Sequence, residues 1–345
     1  MKFSLIFDIK SCGTPQKRKD DNMYKICSLF AGVGGIDLGF ISTKKCVITY
    51  ANEFDPYAVE TYQLNFKNKV DPRDIHLVKN EEIPDFDIMI GGFPCTSFSI
   101  AGYRKGFNDN KTGDLFFEME RIFKEKKPRV IFLENVKNLV GHDNGNTFRV
   151  IIDRLEKAGY KNKISYAVLN ACEYGNIPQN RERIYIVAFR DEKDFEKFRM
   201  PMPIKLTKTI KNIFDFKNKV EDKYYYTDGK YKQEIIDMLK QDMDDDNTVY
   251  QWRRKYVRKN QSNLVPTLTA NMGEGGHNVP LIRTDYGIRK LKPIECFYAQ
   301  GFPKNYKLPS DMSDSRLYKQ AGNSVAVPVI ERIAEKIIYA LDNTD

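Results

Sequence analysis

Phe30-Ala31-Gly32-Val33-Gly34-Gly35 stands between an apolar run, Tyr24 to Phe30, that reads as a strand and a segment, Ile36 to Ser42, that opens a helix. Glycines packed this densely let a chain turn sharply from strand to helix and bring its backbone close to a ligand at the helix N-terminus. That order commits the first part of the chain to an α/β arrangement with its chemistry at strand ends. The turn is not a phosphate loop, because no Gly-Lys-Ser/Thr follows, and it lacks the full dinucleotide fingerprint. A nucleotide-like ligand and a glycine turn with no ligand both fit the spacing.

The next strand ends carry acids. Cys46 to Ala51 reads as a strand running into Asn52-Glu53-Phe54-Asp55. An acid ~20 residues after such a turn is placed to hydrogen-bond a ribose hydroxyl pair. Glu53 is that candidate, and Phe54 beside it could cover an adenine face. A helix from Pro56 to Phe66 leads to Arg73-Asp74-Ile75, where Asp74 is a candidate for an adenine amino group. Taken singly, each reads as a solvated loop carboxylate; at successive strand ends they favour a nucleoside-containing cofactor.

Phe86 to Ile90 reads as a short buried strand, and Gly91-Gly92-Phe93-Pro94-Cys95 follows it. The two glycines are expected to turn the backbone, with Cys95 at the mouth of a loop. A half-buried structural thiol and a nucleophile are the competing readings. The polar loop Thr96 to Asp114 exceeds the ~12–15 residues usual for a structureless connection, so it reads as a functional lid or as disorder. A helix resumes over Leu115 to Lys126, then a strand over Arg129 to Leu133 with Glu134-Asn135-Val136 at its end. After a helix from Thr147 to Ala158, Tyr166 to Asn170 and Ile184 to Phe189 read as strands that pair. Between them lie Arg181 and Arg183, two apart and so on one face if in a strand. That face suits an anion or a polarised carbonyl, or is a solvated basic edge.

From Pro201 to Tyr286 strand–helix alternation stops, and Trp252-Arg253-Arg254-Lys255-Tyr256 mixes cations with aromatics, which suits phosphate contact and stacking or a solvated face. Net charge is +9 over 345 residues, compatible with a polyanionic partner. The six cysteines are scattered without a C-x-x-C pair and there are three histidines, so neither a metal site nor a histidine-activated nucleophile is expected. No apolar run approaches the ~20 residues of a membrane span, and a cytoplasmic location is expected. Residues 1–22 read as a loosely ordered extension. The closing helix, Val327 to Leu341, belongs with the first core.

In order, these segments resemble the cytosine-5 DNA methyltransferases of bacterial restriction–modification type. The motifs are Phe30 to Gly35, Asn52-Glu53, Asp74, Gly91 to Cys95, Gly113 to Glu118, Glu134-Asn135-Val136, Gln179 to Arg183, Gln300-Gly301-Phe302-Pro303 and Gln320-Ala321-Gly322-Asn323-Ser324-Val325. The resemblance covers residues 23–345. It departs at Tyr298, where a basic residue is common, and at Asp114, where a neutral one is.

The resemblance implies a mostly parallel, Rossmann-like S-adenosylmethionine-dependent methyltransferase sheet over 23–199 plus 287–345. A smaller, irregular target-recognition domain is expected over 200–286. The cofactor, leaving as S-adenosylhomocysteine, is expected against Phe30, Gly32, Val33, Gly34 and Gly35. Glu53 would meet its ribose, with Phe54, Asp74 and Ile75 at the adenine, and Pro94, Leu115, Asn323, Ser324 and Val325 complete the site. Cys95 is then the nucleophile that adds to C6 of a flipped-out cytosine, Glu134 meets N3 and the exocyclic amine, Arg181 holds O2, and Arg183 supports it. Ser97, Ser99, Arg253, Arg254, Thr267 and Leu268 are the expected DNA contacts. The implied partner is double-stranded DNA, with a cognate endonuclease as companion activity, a monomeric state and no membrane. One branch of the family methylates tRNA instead; the recognition zone and its Thr267-Leu268 pair favour DNA.

Overall fold

The computed structural model describes residues 23–93, 115–274 and 278–344. The central sheet contains β1 (Tyr24–Leu29), β2 (Cys46–Asn52), β3 (Val70–Asp71), β4 (Ile88–Gly92), β5 (Val130–Val136), β6 (Ile164–Asn170) and β7 (Glu182–Phe189). Its 7 strands run in the order β3-β2-β1-β4-β5-β7-β6. Strands β1 to β5 pair in parallel, whereas β7 is antiparallel to both β5 and β6. The order reverses beside β1, which opens a crevice at the carboxyl ends of β1, β2 and β4.

Both faces of the central strands β4, β5 and β7 are covered, which is why they read as apolar runs, whereas the edge strand β6 leaves Tyr166 and Val168 exposed. Ile26, Ile48, Ile90 and Phe132 point to one side, where they meet α1 (Gly35–Ile41) and the closing helix Val327–Asp342. Cys27, Met89, Ile131 and Leu133 point to the other, against Leu115–Lys126 and Asn146–Leu155. The closing helix starts with a proline in its first turn and buries Ile330, Ile333, Ile337 and Leu341 along one stripe. Each such burial contributes about 1.5–3 kcal/mol, so this helix is an integral part of the first core, as its spacing predicts. Among the described residues no helix is long and apolar enough to cross a membrane.

Some expectations shift. Gly91 and Gly92 lie inside β4 and do not form its turn. They let neighbouring side chains close over the strand: a Cβ on Gly91 would sit 2.7 Å from Met119 Cε, and one on Gly92 would sit 3.2 Å from Glu134 Oε2. Helix α2 (Pro56–Gln63) ends short of Phe66. The strand after Arg181 begins only at Glu182, so the two arginines do not share a strand face.

The segment expected to be irregular carries a 4-stranded antiparallel sheet, order β11-β10-β8-β9. Its strands are β8 (Tyr250–Trp252), β9 (Val257–Lys259), β10 (Leu281–Thr284) and β11 (Gly287–Lys290), and the helix Gln233–Asp242 lies nearby in sequence. The last strand lies wholly beyond residue 286. It is tied to the helix Pro293–Tyr298 by a buried two-pronged ion pair, Arg289 Nη1 to Glu295 Oε2 at 2.7 Å and Nη2 to Oε1 at 2.8 Å.

Candidate active site

The glycine turn leaves β1 with three residues in the left-handed region: Phe30 (φ 55), Gly32 (φ 55) and Gly34 (φ 78). For Phe30 this conformation costs about 1–3 kcal/mol and persists only where neighbours hold it. Glu53 supplies part of that hold. Its Oε2 accepts from Gly32 N at 2.8 Å and its Oε1 from Asp55 N at 2.8 Å. Burial raises the Glu53 pKa while those backbone donors pull it down. Tyr306 Oη donates to Val33 O at 2.6 Å and anchors the turn from the far end of the chain.

These groups edge a cavity of about 1080 Å³ at the carboxyl ends of β1, β2, β4 and β5. Phe30, Gly32, Val33, Gly35, Glu53, Phe54, Asp74, Ile75, Leu115, Asn323, Ser324 and Val325 all line it. Gly34 does not; it packs against Phe66. Phe54 stands 67% exposed at the rim, an aromatic ring left without cover. Asp74 Oδ1 accepts from His76 N at 3.1 Å and meets His76 Nδ1 at 2.6 Å, and His76 also lines the cavity. Sequence reasoning missed His76, although an Asp two residues before a His at a strand end is itself a turn signal.

The fit of a nucleoside cofactor can be tested on these atoms. Each Glu53 oxygen takes one backbone donor and keeps a second acceptor site. Ser324 Oγ is buried with no partner among the described residues. The rim supplies an uncovered ring in Phe54. An acceptor for a diol, a free hydroxyl and an aromatic face suit an adenosine-bearing ligand.

Glu134 is on the same cavity, at the end of β5. It pairs with Gly92 across the ladder, and Asn135 Nδ2 donates to Phe93 O at 2.7 Å. Burial raises the Glu134 pKa against the opposing pull of Arg183 and Arg181. Arg183 Nε lies 3.2 Å from Glu134 Oε1 and its Nη1 donates to Glu182 O at 2.8 Å. Arg181 is 2% exposed and otherwise engaged. Its Nη1 donates to Leu268 O at 2.9 Å, and its Nη2 to Gly322 O at 3.0 Å and to Ser324 O. Both forks of Arg181 therefore serve backbone carbonyls, and Arg183 is the guanidinium that accompanies the acid. Pro94, Cys95, Ser97 and Ser99 lie outside the described residues, Cys95 two positions after Phe93.

Of the expected DNA contacts, Arg253 and Arg254 are exposed in the β8–β9 turn and do not line the cavity. Thr267 is exposed and its hydroxyl donates to Asn180 O at 2.6 Å. Leu268 is 2% exposed and packs into the core shared by the glycine turn and the small sheet, while Leu268, Thr269 and Ala270 also line the cavity.

Residues 24–339 match the family model described as C-5 cytosine-specific DNA methylase. Type II methyltransferase M.Bsp6I of Bacillus sp. (strain RFL6) is 60% identical over 319 residues, 92% of this chain and 100% of that protein. Type II methyltransferase M.HhaI of Haemophilus parahaemolyticus is 39% identical over 332 residues, 92% of this chain and 95% of that one. Among solved structures, the Entamoeba histolytica methyltransferase EhMeth superposes with a TM-score of 0.69 at 20% identity, covering 92% of this chain and 99% of its own. The S. pombe Dnmt2 methyltransferase does so at 0.67 and 15% identity, covering 92% and 99%. At those identities the two structures speak for the fold.

Proposed function

Because the chain belongs to the C-5 cytosine-specific DNA methylase family and is a DNA cytosine-5 methyltransferase of restriction–modification type, we propose that it methylates a flipped-out cytosine in a short duplex site through a covalent bond from Cys95 to C6. The observation that carries this reading is one cavity edged by the glycine turn, Glu53 and Glu134, with Arg183 at 3.2 Å from the acid. Cys95 follows β4 by three residues, and β4 pairs with β5 at Gly92 and Glu134.

S-Adenosylmethionine supplies an electrophilic methyl group when bound. Glu53 would hold its ribose, Phe54 and Asp74 its adenine, and Ser324 and Val325 the opposite wall. C5 of cytosine is a weak nucleophile within an aromatic ring. The Cys95 thiolate forms a bond to C6, the ring electrons move toward N3, and C5 becomes enamine-like. Glu134, with its pKa raised by burial, donates its proton to N3 as that charge develops. Arg183 holds Glu134 in place and presents its remaining Nη2 to the O2 edge, the role the sequence alone gave to Arg181. After methylation at C5, a water takes the C5 proton, the freed electron pair expels the Cys95 thiolate from C6, and N3 returns its proton to Glu134.

A base inside a duplex cannot reach this cavity and has to leave the stack. The four-stranded sheet, with Arg253 and Arg254 in its exposed turn, is the centre of the proposed recognition unit, residues 200–286 with β11 (Gly287–Lys290) added at the sheet edge, and 23–199 plus the chain after β11 form the catalytic one. Double-stranded DNA is the substrate, in the cytoplasm, with the chain acting as a monomer beside a cognate endonuclease. Transfer of tritiated methyl to duplex DNA and not to tRNA is expected, and Cys95→Ser should abolish it. Labelling of tRNA alone would overturn the proposal.

A further inference from the structure

We infer that Arg181 is a positioning residue that couples the cofactor cavity to the DNA-reading segment, so that a ligand at one strengthens binding at the other. The inference rests on the methyltransferase reading above. Arg181 gathers carbonyls from two stretches far apart in sequence: Leu268 on one side, Gly322 and Ser324 on the other. Its backbone is itself tethered, with Arg181 N donating to Asn170 Oδ1 at 3.0 Å. Leu268 follows Thr267, which is bonded to Asn180 O, and both Leu268 to Ala270 and Gly322 to Val325 line the cavity, on the two sides of Arg181.

The two stretches also touch directly. A Cβ on Gly322 would lie 2.2 Å from the carbonyl carbon of Thr269 and 2.3 Å from Ala270 N, so only glycine allows this crossing. The buried guanidinium has no carboxylate in bonding contact among the described residues, and its Nε has no partner there. Burial lowers its pKa, partly offset by Glu134 nearby. The charge is therefore held by those carbonyl dipoles. Moving either stretch alone would leave buried donors of a cation unpaired, which is strongly unfavourable. A ligand that fixes residues 322–325 thereby fixes 267–270, and the reverse effect must be equal.

The test is a binding cycle on the full chain. S-Adenosylhomocysteine affinity is measured by calorimetry with and without a duplex carrying the site that the wild-type enzyme methylates. Duplex affinity is measured by fluorescence anisotropy with and without S-adenosylhomocysteine. Wild type is expected to show coupling of at least about fivefold, equal in both directions. Arg181→Lys puts one ammonium where three carbonyls need a fork, and should reduce coupling below about twofold while changing each separate affinity less. Gly322→Ala keeps the guanidinium but parts the two stretches, and should uncouple them as well. Retained coupling in a folded Arg181→Lys or Gly322→Ala protein, or no coupling in wild type, would overturn the inference. Failure of wild type to bind S-adenosylhomocysteine or duplex at all would instead overturn the methyltransferase reading.

Discussion

Replacing Glu53 with glutamine should weaken the cofactor without touching DNA. The carboxylate spans two backbone donors, Gly32 N–H on Oε2 and Asp55 N–H on Oε1, each at 2.8 Å. A glutamine amide offers one oxygen and one NH2, so one of those donors would face another donor. An unpaired buried donor costs about 1–3 kcal/mol, some of it recovered by relaxation of the turn. Loss of the charged acceptor for the ribose hydroxyls removes about 1.5–3 kcal/mol more directly from binding. At 1.4 kcal/mol per factor of ten, the S-adenosylhomocysteine Kd should rise about 10- to 150-fold. Calorimetry at pH 7.5 reads it, with duplex affinity in the absence of cofactor as the control. The sign with pH follows from the Glu53 pKa, which burial raises. Wild-type affinity should fall as pH drops through that raised value, because the ionised form binds the hydroxyls, and Glu53→Gln should lack that fall. A folded Glu53→Gln protein with S-adenosylhomocysteine affinity within about twofold of wild type would refute the ribose assignment.

Phe54→Ala removes a ring that is 67% exposed, so the thermal midpoint should not move. If the ring covers the adenine, the loss of about 1–3 kcal/mol of stacking should raise the S-adenosylhomocysteine Kd about 5- to 150-fold by calorimetry. Asp37 is buried, accepts from Ser28 Oγ at 3.0 Å and Tyr62 Oη at 2.8 Å, and burial pushes its pKa up to about 6. The fold therefore favours the protonated form relative to an unfolded value of about 3.9, a stabilisation of about 3 kcal/mol fully present below pH ~4 and lost as pH rises through about 6. Denaturant titrations should show wild type losing that amount relative to Asp37→Asn across this window, and parallel profiles would contradict the assignment.

Much of the site was legible because its parts are local. The glycine turn, Glu53 and Glu134 each announce themselves by standing at the end of an apolar strand, Asp74 follows the two-residue β3 by three positions, and strand ends of a parallel sheet converge without further information. What stayed hidden depends on distant chain. Arg181 reads as a substrate-facing twin of Arg183 until Leu268 and Gly322, 87 and 141 residues away, take both its forks. Gly91 and Gly92 read as a turn because nothing local reveals that they continue β4 beneath Met119 and Glu134. The small sheet escaped because β8 and β9 are only 3 residues each, too short for an alternating pattern to register. Leu268, read as part of a recognition pair, both packs into the core and lines the cavity, a double placement no local pattern shows.

Covalent attack by Cys95 is the centre of this account, and a duplex with 5-fluorocytosine at the target position tests it most directly. Fluorine at C5 cannot leave as a proton, so the reaction should stop with the C6–S bond intact. After incubation with S-adenosylmethionine and denaturation, intact mass analysis should show one DNA strand per protein, mapped to Cys95 by proteolysis and absent in Cys95→Ser. The contradicting result is no adduct from an enzyme that methylates the unmodified duplex normally, or an adduct that persists in Cys95→Ser.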